Sequence, residues 1–325
     1  MTTSAGGRPC LRLGSGFDAS DTGTPGHKAK HSAMPLHCGA GGFRIHRVNR
    51  FYWMGSAMNK RFTPRRVAAG ALNRAARKLA HTARQIEDPT LRSLVRRGMP
   101  RESCEALGKK WLRDMDFRTV LDVGANIGQF ATAARAMLPD AVIYSFEPLP
   151  DCFSELEKKM SGAGRFRAFN VGLGAARSEM QFNRSSFAPS SSFRKMAALH
   201  KETYPWTAGG EAVIVKVEKL DDIAATLDLA EPILLKIDVQ GYEDQVLAGG
   251  KDTWSRASAI IVEVSFEVLY ESQPLFDGIY QTITAQGFEF KGCLEQTTEK
   301  VSGRNLYADA IFLRRPAVGV SSLVP

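Results

Sequence analysis

The sequence predicts an α/β domain of the doubly wound kind, and three observations carry that prediction. Short apolar, β-rich runs alternate with helical patterns over about 200 residues, as in a mostly parallel sheet covered by helices. One of these runs, VLDVGANIGQF from Val120 to Phe130, reads as strand, glycine-bearing turn and helix. The last two strand-like runs have no helix between them, so they should pair antiparallel at one edge.

The elements follow in order. Val120, Leu121 and Val123 give the first strand, and Gly124 and Gly128 permit tight backbone and a close approach that a Cβ would block. A helix starting near Ile127 would turn its free N–H groups and positive dipole end toward the crevice at the strand's carboxyl edge, which favours a ligand rich in oxygen acceptors. The spacing is G-x-N-x-G. Asn126 stands where a dinucleotide fold needs its second glycine, which disfavours a pyrophosphate and with it a dehydrogenase. The strand at 141–146 delivers Glu147, placed either to accept both ribose hydroxyls or to serve as a charge ahead of the helix Pro150–Met160. Further strands are expected at 165–170, 180–182, 212–217, 233–237, 259–263, 288–290 and 308–313, with helices at 220–227, 242–247 and 275–286.

Charge divides the chain. Residues 1–100 carry 18 basic and 4 acidic side chains, the remainder 25 and 30, so the net charge of +9 belongs to the first hundred residues. Residues 1–57 lack any apolar period and are expected to be a disordered basic extension. Residues 58–115 read as a basic helical segment, 116–315 as the folded domain and 316–325 as a flexible tail. Within the second of these, Ala68, Leu72, Ala75, Leu79, Ala83 and Ile86 recur at helical spacing, with Arg74, Arg77, Lys78 and Arg84 around them. This helix at 66–86 packs on the neighbouring domain, presents a solvated face, or touches anionic lipid or RNA. No apolar stretch reaches the ~18 residues of a spanning helix. The five cysteines form no C-x-x-C pair, which fits a reducing cytoplasm. Five of the six histidines precede residue 82, leaving only His200 in the folded part, too few for histidine-based metal sites or a Ser/His/Asp triad; no metal is assigned.

Together VLDVGANIGQF, FEPLPDCFSEL, FNVGLG, the LDDI after VIVKVEKL, LLKIDVQGYEDQVLAGG, IIVEVS and GFEF resemble the FkbM family of S-adenosylmethionine-dependent methyltransferases, from about residue 116 to 313. The resemblance implies a class I methyltransferase fold: a seven-stranded, mostly parallel, Rossmann-like sheet of order 3-2-1-4-5-7-6 with an antiparallel edge strand. It also implies methyl transfer to a hydroxyl oxygen of a small molecule or glycan. Carried onto this chain, it has Asp122, Gly124, Asn126 and Gly128 shape the methionine and ribose pocket, Glu147 hold the ribose and Asn170 lie near the adenine. Asp122 has a second reading, in which it braces the turn by side-chain hydrogen bonds.

The residues add a polar cluster. Lys236 and Asp238 are two apart on one strand and share a face, and burying them is costly unless they are paired. Glu263, inside an apolar strand, could complete the set, either as a structural ion-pair network or as catalytic machinery. Asp238, with Glu243 or Glu263, is the candidate for taking the acceptor's proton, and Lys236 for orienting the acceptor or stabilising developing oxyanion charge. The loop 184–193 and Tyr204-Pro-Trp206 interrupt the alternation where an acceptor could enter, with hydroxyls and aromatic faces suited to a polyol. Two rival functions remain: an RNA ribose methyltransferase that uses the basic helix, and a non-catalytic nucleotide-binding module. The Asp-Val-Gln-Gly after the fourth strand departs from the D/N-P-P-Y/F pattern of base-amino methylation.

Overall fold

The computed structural model describes residues 89–96 and 101–316. The extension expected at 1–57 and the basic helix read at 66–86 lie outside the described residues. Helices α1 (Pro89–Arg96), α2 (Arg101–Leu107) and α3 (Lys110–Arg113) precede the first strand. Then β1 (Thr119–Val123), α4 (Gln129–Met137), β2 (Val142–Phe146), α5 (Pro150–Met160) and β3 (Phe166–Phe169) alternate. An excursion follows through β4 (Gly172–Leu173), β5 (Ser178–Ser185), α6 (Ala198–Thr203) and β6 (Gly210–Glu218). The chain returns as α7 (Leu220–Ala224), β7 (Ile233–Ile237), α8 (Glu243–Gly249), α9 (Lys251–Trp254), β8 (Ala259–Ser265), α10 (Phe276–Thr284), β9 (Phe288–Thr298) and β10 (Asn305–Arg314).

The main sheet runs β3-β2-β1-β7-β8-β10-β9. Numbered by its own strands, this is 3-2-1-4-5-7-6, the class I methyltransferase order. β10 is antiparallel to both β8 and β9, so the last two strands pair as their missing helix required. The strands read at 180–182 and 212–217 leave this sheet and form a second one, β4-β6-β5. Glu179, Gln181 and Lys216 share one exposed face of it, as the wet face of an antiparallel pair allows. β9 is 11 residues long where sequence suggested three. Its polar continuation Lys291 to Thr298 reads as loop but pairs along β10 at the sheet edge.

Alternation along the strands divides the core into two layers. Leu121, Val123, Ile233, Leu235, Ile237, Ile260 and Val262 face one way and pack with Leu220, Val246, Leu247, Trp254, Ile279 and Ile283 of α7 to α10. Val120, Ile143, Leu234, Ile261 and Ile311 face the other way, against Ala131, Ala134 and Met137 of α4 and Leu156 and Met160 of α5. Cys104, Leu107 and Leu112 of α2 and α3 are buried in that second layer, so these helices share the sheet's core. Asp122, Lys236, Glu263 and Asp309 have the parity of the second layer. They continue it toward the carboxyl ends of the parallel strands, where the Phe130 ring of α4 lies 5.8 Å from Lys236 Nζ.

Candidate active site

The β1–α4 turn is built by three left-handed residues in alternation: Gly124 (φ +78), Asn126 (φ +48) and Gly128 (φ +86). A Cβ on Gly124 would fall 1.9 Å from the Asp238 carbonyl oxygen, so glycine is what lets the turn meet the end of β7. Asn126 tolerates its conformation because its own Oδ1 accepts the Ile127 N–H at 2.7 Å. These conformations delay α4 to Gln129, two residues past the expected start.

Glu147 closes the turn. Its Oε2 accepts the Asn126 N–H at 2.8 Å and its Oε1 accepts the Leu149 N–H at 2.9 Å. Burial pushes its carboxyl up to about 7 against the pull of those two N–H groups. A carboxylate therefore already occupies the Asn126 N–H, a physical reason beyond the missing glycine for the turn to refuse a pyrophosphate. Asn170 lies outside the lining of the cavity described below. Its Nδ2 donates to the carbonyls of Glu147 and Pro148 at 2.9 and 3.0 Å, which fixes the Glu147 backbone instead.

A second group of charges lies across the sheet. Asp122 and Lys236 are register partners on β1 and β7, and Glu263 and Asp309 are register partners on β8 and β10. Asp122 is fully buried; its Oδ2 accepts the Ser145 hydroxyl at 3.2 Å, while Oδ1 has no hydrogen-bond partner and lies 3.6 Å from Lys236 Nζ. Lys236 Nζ also lies 3.4 Å from Asp238 Oδ2 and donates to the Gly124 carbonyl at 3.2 Å. Burial works against the ammonium, but Asp238, Asp122 and Asp309 overcome it and hold Lys236 charged above its usual range. Burial in turn raises Asp122, partly offset by Lys236.

Asp238 sits one residue past β7, with its side chain 34% exposed. Gln240 orients it: Nε2 donates to Asp238 Oδ1 at 2.8 Å and lies 3.2 Å from both Glu263 oxygens. Gln240 is itself held, with Oε1 accepting the Tyr270 hydroxyl at 2.8 Å and its carbonyl accepting the Ser192 hydroxyl at 2.7 Å. Glu263 thus joins the cluster through Gln240. Burial, followed by the charges of Asp238, Glu243 and Asp309, pushes its carboxyl well up. Glu243, the other candidate partner, is outside the cavity lining and braces the loop after β7, with Oε1 accepting the Val239 and Gly241 N–H groups at 3.1 and 3.2 Å. Burial pushes it up to about 7.

Sequence reading missed Gln240, Tyr270 and Asp309. Asp309, pushed up to about 6 by burial and by Asp238, carried a usable signal: an acid at an inward position of the apolar run Ala308 to Leu313. Gln240 and Tyr270 carried none, since their roles depend on contacts between distant segments.

Gly124 to Asn126 of the turn, Glu147, Lys236, Asp238, Gln240 and Asp309 line one cavity of about 240 Å³, whose apolar wall includes Phe130, Phe146, Leu149, Val171 and Phe182; Asp122 and Gly128 lie outside the lining. Ala188, Pro189, Ser191 and Phe193 cover it from the 184–193 loop. That loop is ordered by its own hydroxyls: Ser185 Oγ donates to the Thr207 carbonyl at 2.6 Å, and Ser191 Oγ accepts the Ser185 N–H at 3.0 Å. Among the described residues no group of three or more His, Cys, Asp or Glu is arranged to hold a metal, and no helix is long and apolar enough to cross a membrane.

The family model of the methyltransferase FkbM domain matches residues 122–290, from the acid of β1 to the start of β9. The chain belongs to the FkbM methyltransferase family. 2-O-methyltransferase NoeI of Sinorhizobium fredii is 30% identical over 161 residues, covering 47% of this chain and 66% of that protein. 31-O-demethyl-FK506 methyltransferase FkbM of Streptomyces tacrolimicus is 32% identical over 201 residues, covering 49% of this chain and 76% of that protein. Hexuronic acid methyltransferase AglP of Haloferax volcanii is 28% identical over 144 residues, covering 44% of this chain and 54% of that protein. The chain therefore spans just under two thirds of NoeI and about half of AglP. The FkbM match embraces the glycine turn, Glu147 and the Lys236–Asp238 segment, but stops short of Asp309.

Proposed function

We propose that this chain is an S-adenosylmethionine-dependent O-methyltransferase acting on a hydroxyl of a sugar, glycan or natural product. The observation that carries the proposal is the placement of the Asp238 carboxylate in the cavity, anchored by Lys236 and Gln240, at the end opposite Glu147. The names of NoeI, FkbM and AglP, each a methyltransferase and one of them a 2-O-methyltransferase, point to the same chemistry.

The residues fit the cofactor. Each Glu147 oxygen accepts one backbone N–H and retains a lone pair for a ribose hydroxyl. Phe146, Leu149 and Val171 offer an apolar wall to a purine, and Gln129 with the first N–H groups of α4 would take the methionine carboxylate. When bound, S-adenosylmethionine supplies an electrophilic methyl group on a sulfonium sulfur. The chain's part is to hold the acceptor hydroxyl in line with it and to receive the proton. As the acceptor oxygen takes up that methyl group its O–H bond would break, and an oxygen of Asp238 would receive the proton. Lys236 keeps that carboxylate in place, with Asp122 as its second counter-ion.

Calorimetry tests the cofactor: S-adenosylmethionine should bind at roughly micromolar Kd, about −7 to −9 kcal/mol, and NAD negligibly. Equal affinities would reject the reading. Mass spectrometry of glycans and metabolites from cells with and without the protein, searched for the mass of one methyl substitution, then identifies the acceptor.

A further inference from the structure

We infer that the ring carrying the reacting hydroxyl is a neutral or amine-bearing polyol, bound through its own hydrogen-bond donors, and that acidic rings are excluded. This rests on the O-methyltransferase reading and names its substrate class. The acceptor end of the cavity is rich in acceptor atoms and poor in free donors. Asp238 and Asp309 both line it, and Glu263 adjoins them as the register partner of Asp309. Lys236 is the only cation lining the cavity among the described residues, and its ammonium is already divided between Asp238, Asp122 and the Gly124 carbonyl.

Most of the neutral donors nearby are taken as well, the cavity-lining Ser191 hydroxyl, which accepts from the Ser185 N–H, being an exception. The Gln240 amide points at Asp238 and Glu263, and the Tyr270 hydroxyl points at Gln240 Oε1. In the covering loop the N–H groups of Ser190, Ser191 and Ser192 donate to Phe187, Ala188 and Asn183 carbonyls at 2.9, 3.0 and 3.1 Å. The Ser192 hydroxyl donates to Gln240. A uronate or phosphate on the reacting ring would have to give up its water beside like charges and gain few donors in return. A second hydroxyl or an ammonium next to the reacting hydroxyl would instead find the Asp238 and Asp309 oxygens. One relative is by name a hexuronic acid methyltransferase, so exclusion of acidic rings would distinguish this chain within the family.

The test uses the full chain, S-adenosylmethionine with a deuterated methyl group, and a glycan and small-molecule extract from cells in which its gene is deleted. After acid hydrolysis the labelled units are separated by charge. Label on a neutral or amino polyol, at least 100-fold above label on acidic units, is the expected result. Asp309→Asn should narrow that ratio by about tenfold. Label concentrated on uronates or other acidic rings overturns the inference while leaving methyl transfer intact. No label in any fraction, from protein that binds the cofactor in calorimetry, overturns the methyl-transfer reading and this inference with it.

Discussion

The two ends of the cavity hold their acids by different means. At the β1–β2 end, Glu147 is fixed by backbone N–H groups of a turn whose shape is dictated by Gly124, Asn126 and Gly128. At the β7–β8–β10 end, Asp238 is fixed by the side chains of Lys236 and Gln240, and Glu263 by Gln240. A site made of backbone geometry tolerates almost no substitution in its turn and binds one ligand shape. A site made of side chains can be respecified without rebuilding the fold. That division suits an enzyme family with one methyl donor and several acceptors.

The comparison can be broken most severely where the two ends touch. Gly124→Ala should place a methyl group 1.9 Å from the Asp238 carbonyl oxygen at a φ of +78, and we expect at least ~4 kcal/mol of destabilisation with loss of cofactor binding, read by thermal melts and calorimetry. Lys236→Met should cost about 3–5 kcal/mol, because Asp122 is fully buried and would lose its counter-ion. A melt unchanged within about 1 kcal/mol would remove Lys236 from the structural account.

Glu147→Ala sharpens the contrast from the other end. It should weaken S-adenosylmethionine binding by about 1.5–3 kcal/mol, through lost hydrogen bonds to a charged acceptor and a loosened turn. Unchanged affinity would contradict the ribose assignment. The smallest effect concerns Glu243. Its folded carboxyl is pushed up to about 7, above the ordinary 4.5 of a glutamate, so it favours folding fully below the lower value and loses that contribution as pH rises through the upper one. Glu243→Gln keeps an oxygen for the Val239 and Gly241 N–H groups. The variant should therefore flatten the fall in Tm between about pH 5 and 8, with little change in turnover. A pH profile identical to that of the parent would refute it.

The strands, the antiparallel last pair and the glycine turn were legible because they rest on local chemistry: apolar runs bounded by turns, glycines at spaced positions, and an acid at the end of the second strand; the strand order came only with the family resemblance. The pairing of Lys236 with Asp238 was legible for the same reason, since two residues apart on a strand means one face. Its meaning was not. Asp122, 114 positions before Lys236 in the chain, is the ammonium's second carboxylate, and only the β1–β7 register brings it there. Gln240 and Tyr270, 30 positions apart, meet for similarly long-range reasons. The serines of the 184–193 loop looked available to a polyol, and Ser185 and Ser192 instead donate their hydroxyl protons to protein carbonyls.

The central claim is that Asp238 receives the acceptor's proton instead of serving mainly to neutralise Lys236. Because Asp122 remains within 3.6 Å of that ammonium, removing the Asp238 charge need not leave it unpaired, and an amide oxygen can still accept from Gln240. Asp238→Asn should therefore melt within about 1 kcal/mol of the parent and bind the cofactor nearly as well, while turnover falls by about 10²-fold or more. Stability and turnover measured on one preparation decide the matter. A loss of about 3–5 kcal/mol with activity falling only in proportion to the folded fraction would contradict the account and leave Asp238 a structural counter-ion.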